Sequence, residues 1–309
     1  MTAIPFRADH VGSLLRPPRL HDARAAAATG RIDADELTQI EDDCIREVVR
    51  QQEALGLDVV TDGEFRRSWW HFDFLAGLEG VDLVSGGTSI QFHGVRTKAE
   101  TIAVSGPVEF DGHYMLDHFR FLNRTTSTTA KMTIPAPSVL HFRGGRRSIS
   151  AEVYPSLDAF YEDTARAYRK AVHAFYAAGC RYLQFDDTVW AYLCSEKERE
   201  ATRERGDDPE PLPRIYAEMI NYAVAEKPAD MTITTHVCRG NFRSSWIAEG
   251  GYEPVGELLL AGTDYDGYFL EYDSERAGGF EPLRFLPRGD KRVVLGLITS
   301  KTGELEAPD

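Results

Sequence analysis

The sequence predicts an α/β protein of the (β/α)8-barrel class. Short apolar runs alternate with longer helical patterns, which is typical of parallel β/α units. Polar side chains follow almost every apolar run, as expected where the strands of such a barrel end. The 309 residues suffice for one large barrel, and no low-complexity linker divides them, so we expect a single domain over residues 1–309.

Three amphipathic patterns predict the main helices. Residues 37–56 carry apolar side chains at helical spacing and close at Gly56. Residues 157–180 show the same pattern up to Gly179, and residues 212–228 give a third helix. Each pattern is followed by an apolar run, so each helix is expected to lead into a strand.

Seven apolar runs predict strands. They lie near residues 6–11, 57–61, 129–134, 181–185, 231–235, 267–271 and 292–298. Because a closed TIM barrel needs eight strands, we expect this chain to lack the last strand and helix, a C-terminal β/α unit. Segment 80–128 breaks the rhythm with Gly, Thr and alternating residues, which predicts a β-hairpin insertion.

Charge and cysteine content restrict the partners and the location. The net charge of −14 gives no basic excess to neutralise phosphates, so a nucleic-acid partner is not expected. No run of about 18 apolar residues occurs, and the first residues do not form a secretory signal, so no membrane partner is expected. Four scattered cysteines do not form a disulfide framework, which favours a cytoplasmic protein.

The predicted strand ends carry the candidate functional residues. They are His10, Gly12 and Ser13; Asp62, Glu64, Arg66 and Arg67; Asp186 and Asp187; His236 and Cys238; and Glu271 and Asp273. Structural alternatives exist, since Asp62-Gly63 is a common turn and the Gly-Ser and Asp-Asp pairs are suited to helix caps. A lone histidine or cysteine is more often a core residue than a ligand. Their recurrence at equivalent strand ends nevertheless favours one shared site.

His236 and Cys238 form the pattern that most directly indicates a metal. Imidazole and thiolate are side chains that zinc prefers, and residues two apart on an extended segment point the same way. Glu271, at the end of the next predicted strand, could reach the same centre. A zinc ion there would bind and activate a thiol substrate. A zinc finger is not expected, because the sequence contains no Cys-x-x-Cys pair.

Several motifs together resemble the cobalamin-independent methionine synthase family. They are HVGSLLRP, DGEFRRSWW, QFDD, HVCRGN, FLEYD and LGLITSKTGELE, spread over nearly the whole chain. The closer resemblance is to short single-barrel members, which correspond to the C-terminal catalytic domain of the two-barrel enzymes. The resemblance implies a TIM barrel with Zn2+ that transfers a methyl group from 5-methyltetrahydrofolate, or a related donor, to the thiol of homocysteine, forming methionine.

The resemblance also implies individual roles. The family's zinc ligands fall on His236, Cys238 and Glu271, while its fourth ligand, a later cysteine, has no counterpart here. Gly12 and Ser13 match the backbone contacts to the amino-acid substrate. Glu64 and Asp186 match the carboxylates that hold the substrate amino group, although FDDTV stands where DEPA is usual.

The methyl donor and the reaction class have alternatives. Trp69, Trp70 and Trp190 are candidates to stack on a pterin, but single aromatic residues near a barrel mouth are more often packing residues. The same thiol activation would serve another zinc-dependent alkyltransferase, such as a coenzyme M alkyltransferase-like enzyme, or a C–S lyase. A non-catalytic zinc- or ligand-binding protein is the alternative from another class, and a homo-oligomer is compatible with each of them.

Overall fold

The fold is described by a computed structural model covering residues 8–85, 91–92, 95–96, 100–304 and 306. Its strands in chain order are β1 Val59–Val60, β2 Glu79–Ser85, β3 Gln91–Phe92, β4 Val95–Arg96, β5 Glu100–Glu109, β6 Thr129–Pro135, β7 Tyr182–Asp186, β8 Thr232–Val237, β9 Gly267–Glu271 and β10 Arg292–Gly296. Its α-helices are α1 Pro18–Ala28, α2 Ala34–Ala54, α3 Phe72–Leu75, α4 Met115–Thr125, α5 Pro137–Phe142, α6 Leu157–Ala177, α7 Val189–Tyr192, α8 Glu196–Glu204, α9 Leu212–Val224 and α10 Gly256–Leu260. Short 3-10 turns lie at Gly145–Ser148, Glu275–Ala277 and Glu281–Phe285.

A curled sheet of six parallel strands forms the centre of the described fold. The strand order is β1-β6-β7-β8-β9-β10, and every neighbouring pair is parallel. Within the described residues, β1 and β10 each have one neighbour, so the sheet is open between them. The architecture is therefore an incomplete TIM barrel, which confirms the predicted fold class and six of the seven predicted strands.

The first predicted strand, near residues 6–11, is not formed over the part of it that the structure describes. Residues 6 and 7 lie outside the described part of the chain, and residues 8–11 are not paired as a strand. Asp9 instead reaches Lys131 on β6 and Tyr182 on β7, with N–O and O–O distances of 3.1 and 2.7 Å. Polar contacts to these side chains therefore place the segment against the inner face of the sheet.

Helix α2 shows how local sequence sets an element boundary. It begins three residues before the predicted start, because Asp33 accepts the backbone N–H of Glu36 and Glu36 returns a bond to the N–H of Asp33. Its buried face includes Ile45 and Val49, which join the core against the sheet. The apolar spacing predicts this face, while the reciprocal cap fixes the start of the helix.

The predicted insertion contains an antiparallel pair, β2 with β5, so the β-hairpin is present. Helix α4 follows it and occupies most of the remaining chain up to β6. Residues 86–90, 93–94 and 97–99 lie outside the described part of the chain. No α-helix within the described ranges is both long enough and apolar enough to cross a membrane.

Candidate active site

The register of the parallel strands brings the predicted residues to one level. Asp186 on β7 is directly opposite His236 on β8, and Thr133 on β6 is opposite Gln184 one layer below. Residues two apart in a strand face the same side, so these side chains all project from the inner face. They lie near the carboxyl ends of the strands, where sites in this fold class are built.

Asp186 connects His236 to the rest of the site. Its Oδ1 lies 3.0 Å from Nδ1 of His236 and accepts a 2.8 Å hydrogen bond from the amide of Gln184. Burial lowers the pKa of His236, but the side chains of Cys238 and Asp186 outweigh it and raise that pKa to about 10. Cys238 acts in part through a hydrogen bond with the ring. The imidazole is thus held between a carboxylate and a thiol.

Glu64 sits in a backbone conformation that few residues other than glycine adopt. Its φ is 59°, in the left-handed region, and its N–H donates to Oδ1 of Asp62 at 2.8 Å. Arg16 donates to its carbonyl at 2.7 Å, which supports this turn from the opposite side. The Asp-Gly-Glu turn is therefore real, and it also aims the Glu64 carboxylate inward. Such strain persists only where surrounding contacts hold it.

The Glu64 carboxylate is buried among polar partners. Its Oε1 accepts a 2.9 Å hydrogen bond from Thr133 and lies 3.5 Å from Nη1 of Arg67. Burial raises the pKa of Glu64, Arg67 opposes this, and the nearby charge of Asp186 adds to the rise. Two like charges in range of each other are a feature of sites that bind a cation.

Both carboxylates keep one oxygen available. Oε2 of Glu64 and Oδ2 of Asp186 have no protein partner among the described residues, whereas Oε1 and Oδ1 are occupied. Neither oxygen belongs to the fully enclosed polar atoms that lack a hydrogen bond. The site therefore presents two carboxylate oxygens that a ligand ammonium could satisfy.

Gly12 packs directly against this pair. Its φ is +120°, and a Cβ there would lie 2.9 Å from Cγ2 of Thr133 and 3.4 Å from Oε1 of Glu64. Glycine adopts this φ without strain, and a Cβ would displace Thr133, the hydrogen-bond partner of the Glu64 carboxylate. Ser13, its predicted companion, is exposed at the mouth of the site. The structure thus brings the Gly-Ser segment next to Glu64, as the sequence predicts.

Glu271 is close to the His-Cys pair along the sheet but is bound elsewhere. Val237 pairs with Leu270, so Glu271 is one residue beyond, beside Cys238. Its Oε1 lies 2.8 Å from Arg276, and its Oε2 accepts the N–H of Arg239 at 2.8 Å. Within the described ranges, no three His, Cys, Asp or Glu side chains are arranged to hold a metal ion.

The side chains of His236, Cys238 and Glu271 therefore match a zinc site only in part. Nδ1 of His236 is held by a carboxylate, an arrangement common around metal-binding histidines, and Nε2 is the atom that would bind a metal. Cys238 lies within hydrogen-bond range of the same ring. The predicted third ligand, Glu271, would have to exchange Arg276 for the metal.

Other predicted candidates have structural roles. Oδ1 of Asp187 accepts from Ser138 at 2.7 Å and from the N–H of Val189 at 3.3 Å, although the N-cap position of α7 is Thr188. Trp190 is 1% exposed and belongs to the core, so it offers no face to a pterin. Trp69 and Trp70 are half-buried beside the site.

Three polar contacts of the site were not expected from the sequence. Thr133 and Gln184 sit inside apolar strands, where alternation along the strand is the signal that would have placed them on the inner face. Arg276 lies in a loop after β9, and its capture of Glu271 has no local signal in the sequence.

The match of the catalytic-domain model to residues 6–249 decides the family. The matching model is that of the cobalamin-independent synthase catalytic domain. The chain belongs to the cobalamin-independent synthase family. This confirms the resemblance seen in the sequence motifs, and the matched segment includes Gly12, Glu64, Asp186, His236 and Cys238.

Similar proteins extend the family assignment. YxjH of Bacillus subtilis, an uncharacterized protein, is 52% identical over 306 residues, covering 99% of this chain and 80% of YxjH. A crystal structure of a Listeria monocytogenes protein assigned as a vitamin-B12-independent methionine synthase has a TM-score of 0.79 and 43% identity, over 98% of this chain and 83% of that one. A B12-independent methionine synthase from Shewanella sp. W3-18-1, at 21% identity, shares the fold with a TM-score of 0.66 over 89% of this chain and 75% of its own.

Proposed function

We propose that this chain transfers a methyl group to the thiol of homocysteine and forms methionine. The observation that carries the proposal is the pair of free carboxylate oxygens on Glu64 and Asp186 beside the His236–Cys238 pair. An amino-acid thiol has an ammonium for the first pair and a sulfur for the second. Family membership and likeness to a Listeria protein assigned as a methionine synthase support the same reaction.

Each residue would have a role that follows from its position in the site. Glu64 and Asp186 would hold the substrate ammonium, and the backbone at Gly12 and Ser13 would lie along the amino-acid portion. Arg67, which is 3.5 Å from Glu64, favours the ionised form of that carboxyl group. Asp186 also fixes the orientation of His236 through Nδ1. Asp186 would thus both bind the amino group of the substrate and orient the histidine near its sulfur.

Zinc is the proposed cofactor, with His236 and Cys238 as ligands and Glu271 as the third after release from Arg276. When bound, the ion lowers the pKa of a coordinated thiol, so that the thiolate predominates at neutral pH. In the transfer, the substrate sulfur forms a bond to the methyl carbon as the bond from the donor to that carbon breaks. The leaving group keeps that electron pair and takes up a proton. A folate-type donor is our first candidate, from the family resemblance.

The decisive experiment is an assay of purified protein with homocysteine and a panel of methyl donors that includes 5-methyltetrahydrofolate. Methionine formation that needs both reactants is the expected result. Turnover with coenzyme M but not with homocysteine would establish the alternative alkyl transfer. Absence of methionine formation with every donor would overturn the proposed reaction.

Metal content tests the ligands separately. Cys238→Ser should lose most bound zinc and activity together, because serine is a far weaker zinc ligand than a thiolate. Cys194→Ser is the matched control, since Cys194 is half-buried and donates to the carbonyl of Trp190 at 3.2 Å. Zinc is measured by mass spectrometry after dialysis. Full zinc retention in Cys238→Ser would contradict the assignment.

A further inference from the structure

Arg143 is a cationic side chain at the end of the helix that follows the carboxyl end of β6, and it has no ionic partner among the described residues. It caps the C-terminus of α5, directly after β6, and is half-buried. Its guanidinium carbon is 5.9 Å from the ring centroid of Trp70 and 5.7 Å from that of Tyr192. Among the described residues, no oxygen accepts a hydrogen bond from this side chain. The guanidinium therefore lies near two aromatic rings and, within the described part of the chain, has no hydrogen-bond acceptor.

Unlike Arg143, the neighbouring arginines have hydrogen-bond acceptors for their side chains. Arg146 donates to the carbonyl of Tyr154 at 2.9 Å, Arg205 donates to the hydroxyl of Thr202 at 3.1 Å, and Arg147 donates to the carbonyl of Glu204. A partly buried guanidinium is normally matched in this way, because an unpaired charge loses hydration without compensation. Arg143 is thus an exception within the same region of the molecule.

Among the described residues, no carboxylate lies within ion-pair distance of Arg143. Burial raises the pKa of Glu198, and this carboxyl group is influenced first by Lys197 and Arg205 and only then by Arg143. Burial and Arg143 together hold the pKa of His71 well below its usual range, so the imidazole that stacks on Trp70 is neutral. The positive charge at this position remains available to a ligand.

Tyr192 links Arg143 to the sulfur end of the site. Its ring lies beside Arg143, and its phenol has a pKa raised by burial, lowered by Arg143 and raised again by Cys238. The phenol is therefore within electrostatic range of both residues.

We propose that Arg143 binds a carboxylate of one of the two reactants, with the rings of Trp70 and Tyr192 on either side. The proposal rests on the methyl transfer proposed above and adds a binding subsite to it. A guanidinium offers two parallel N–H groups that match a carboxylate, and aromatic neighbours limit access of competing water. The acceptor carries an α-carboxylate, and a folate-type donor carries carboxylates on its tail.

Kinetics of Arg143→Gln and Arg143→Lys test the subsite. Loss of a charge-assisted hydrogen bond pair should raise KM for the bound reactant by roughly 10- to 100-fold, with a smaller change in kcat. Arg143→Lys should reverse part of the rise in KM, since lysine restores the positive charge but not the two parallel N–H groups of the guanidinium. Arg147→Gln is the matched control, because Arg147 is exposed nearby and donates to the carbonyl of Glu204.

Truncated reactants distinguish the two sources of the carboxylate. If Arg143 binds the acceptor, the effect should appear with homocysteine and vanish with 3-aminopropanethiol, which lacks the carboxylate. If it binds the donor, the effect should appear with 5-methyltetrahydrofolate and vanish with its analogue that has no glutamate. Unchanged KM values for both reactants, or equal losses in Arg147→Gln, would overturn the proposal.

A binding measurement keeps this inference separate from the proposed reaction. Glutarate is titrated into the wild-type protein, Arg143→Gln and Arg147→Gln by calorimetry. Binding that is lost only in Arg143→Gln supports the carboxylate subsite even if no methyl transfer is found. No glutarate binding to the wild-type protein, together with no methyl transfer, would reject both the subsite and the reaction.

Discussion

At the scale of single residues, the site depends on carboxylates that have one oxygen occupied and one free. Thr133 and Arg67 fix Oε1 of Glu64, while His236 and Gln184 fix Oδ1 of Asp186. Each carboxylate is thereby oriented before a ligand arrives, which reduces the entropy lost on binding. The proposed recognition of an ammonium depends on this arrangement, and it can be tested by changing the charge of one group alone.

Glu64→Gln should raise KM for homocysteine far more than KM for 4-mercaptobutyrate, a thiol of the same length without the amino group. Glutamine keeps the volume and an oxygen for Thr133 but removes the charge that attracts an ammonium. The difference should be roughly 10-fold or more, from the loss of a charge-assisted hydrogen bond. Steady-state kinetics with both thiols measures it. Equal effects on the two thiols would refute the assigned role.

The functional residues divide into those that the sequence could locate and those that it could not. Parallel strands end at one edge, so Glu64, Asp186, His236 and Cys238 could be assigned to one place from the chain order alone. The capture of Glu271 by Arg276 could not be predicted, because it depends on the path of a loop that has no periodic pattern.

At the scale of elements, segment 9–12 is attached to the sheet through a buried ion pair. Nζ of Lys131 lies 3.1 Å from Oδ1 of Asp9, both side chains are fully buried, and Tyr182 donates to Oδ2 of Asp9 at 2.7 Å. Burial lowers the pKa of Lys131, and Asp9 opposes this. Lys131 also donates to the carbonyl of His10 at 2.6 Å, two residues before Gly12. The pair therefore helps to position the glycine that touches Glu64.

Lys131→Met should destabilise the fold by about 3 to 5 kcal/mol, because it leaves the Asp9 carboxylate buried without its cation. Methionine keeps most of the side-chain volume, so a cavity contributes little. Urea unfolding measures the loss. The double variant Asp9→Asn with Lys131→Met should recover part of it, since no buried charge remains. A single variant as stable as the wild-type protein would show that the pair is not needed.

The strands and helices themselves were more predictable than this attachment. Six of seven strands and the apolar face of α2 follow from short apolar runs and helical spacing. The prediction of the first strand was wrong over residues 8–11, because contacts of Asp9 with distant residues outweigh the local β pattern. Local patterns predict elements well, whereas long-range polar contacts decide how their ends are placed.

At the scale of the whole molecule, the open sheet has one exposed edge beside apolar surface. As far as the structure describes the chain, strand β10 is bonded on one side only, and the residues after it include Leu297 and Ile298, which are 52% and 78% exposed. Unpaired strand edges and neighbouring apolar side chains favour association. We expect the protein to associate through this edge as its concentration rises.

Ile298→Lys should shift the protein toward the monomer, because a charged side chain at an edge opposes strand pairing. Leu55→Lys is the matched control, since Leu55 is an apolar side chain that is 79% exposed away from this edge. Sedimentation velocity over a range of concentrations measures the change. A monomeric wild-type protein at every concentration, or the same shift in both variants, would contradict the expectation.

The opposite edge of the sheet is capped at one residue by a side chain. The amide of Gln52 on α2 donates to the carbonyl of Thr61, just beyond β1, at 2.9 Å and accepts its N–H at 3.0 Å, as a neighbouring strand would. Within the described residues, no comparable bonds cover the outer side of β10. Two copies that meet at β10 about a two-fold axis would therefore pair their uncapped edges. The glutamine makes the β1 edge the less favourable of the two for adding a strand.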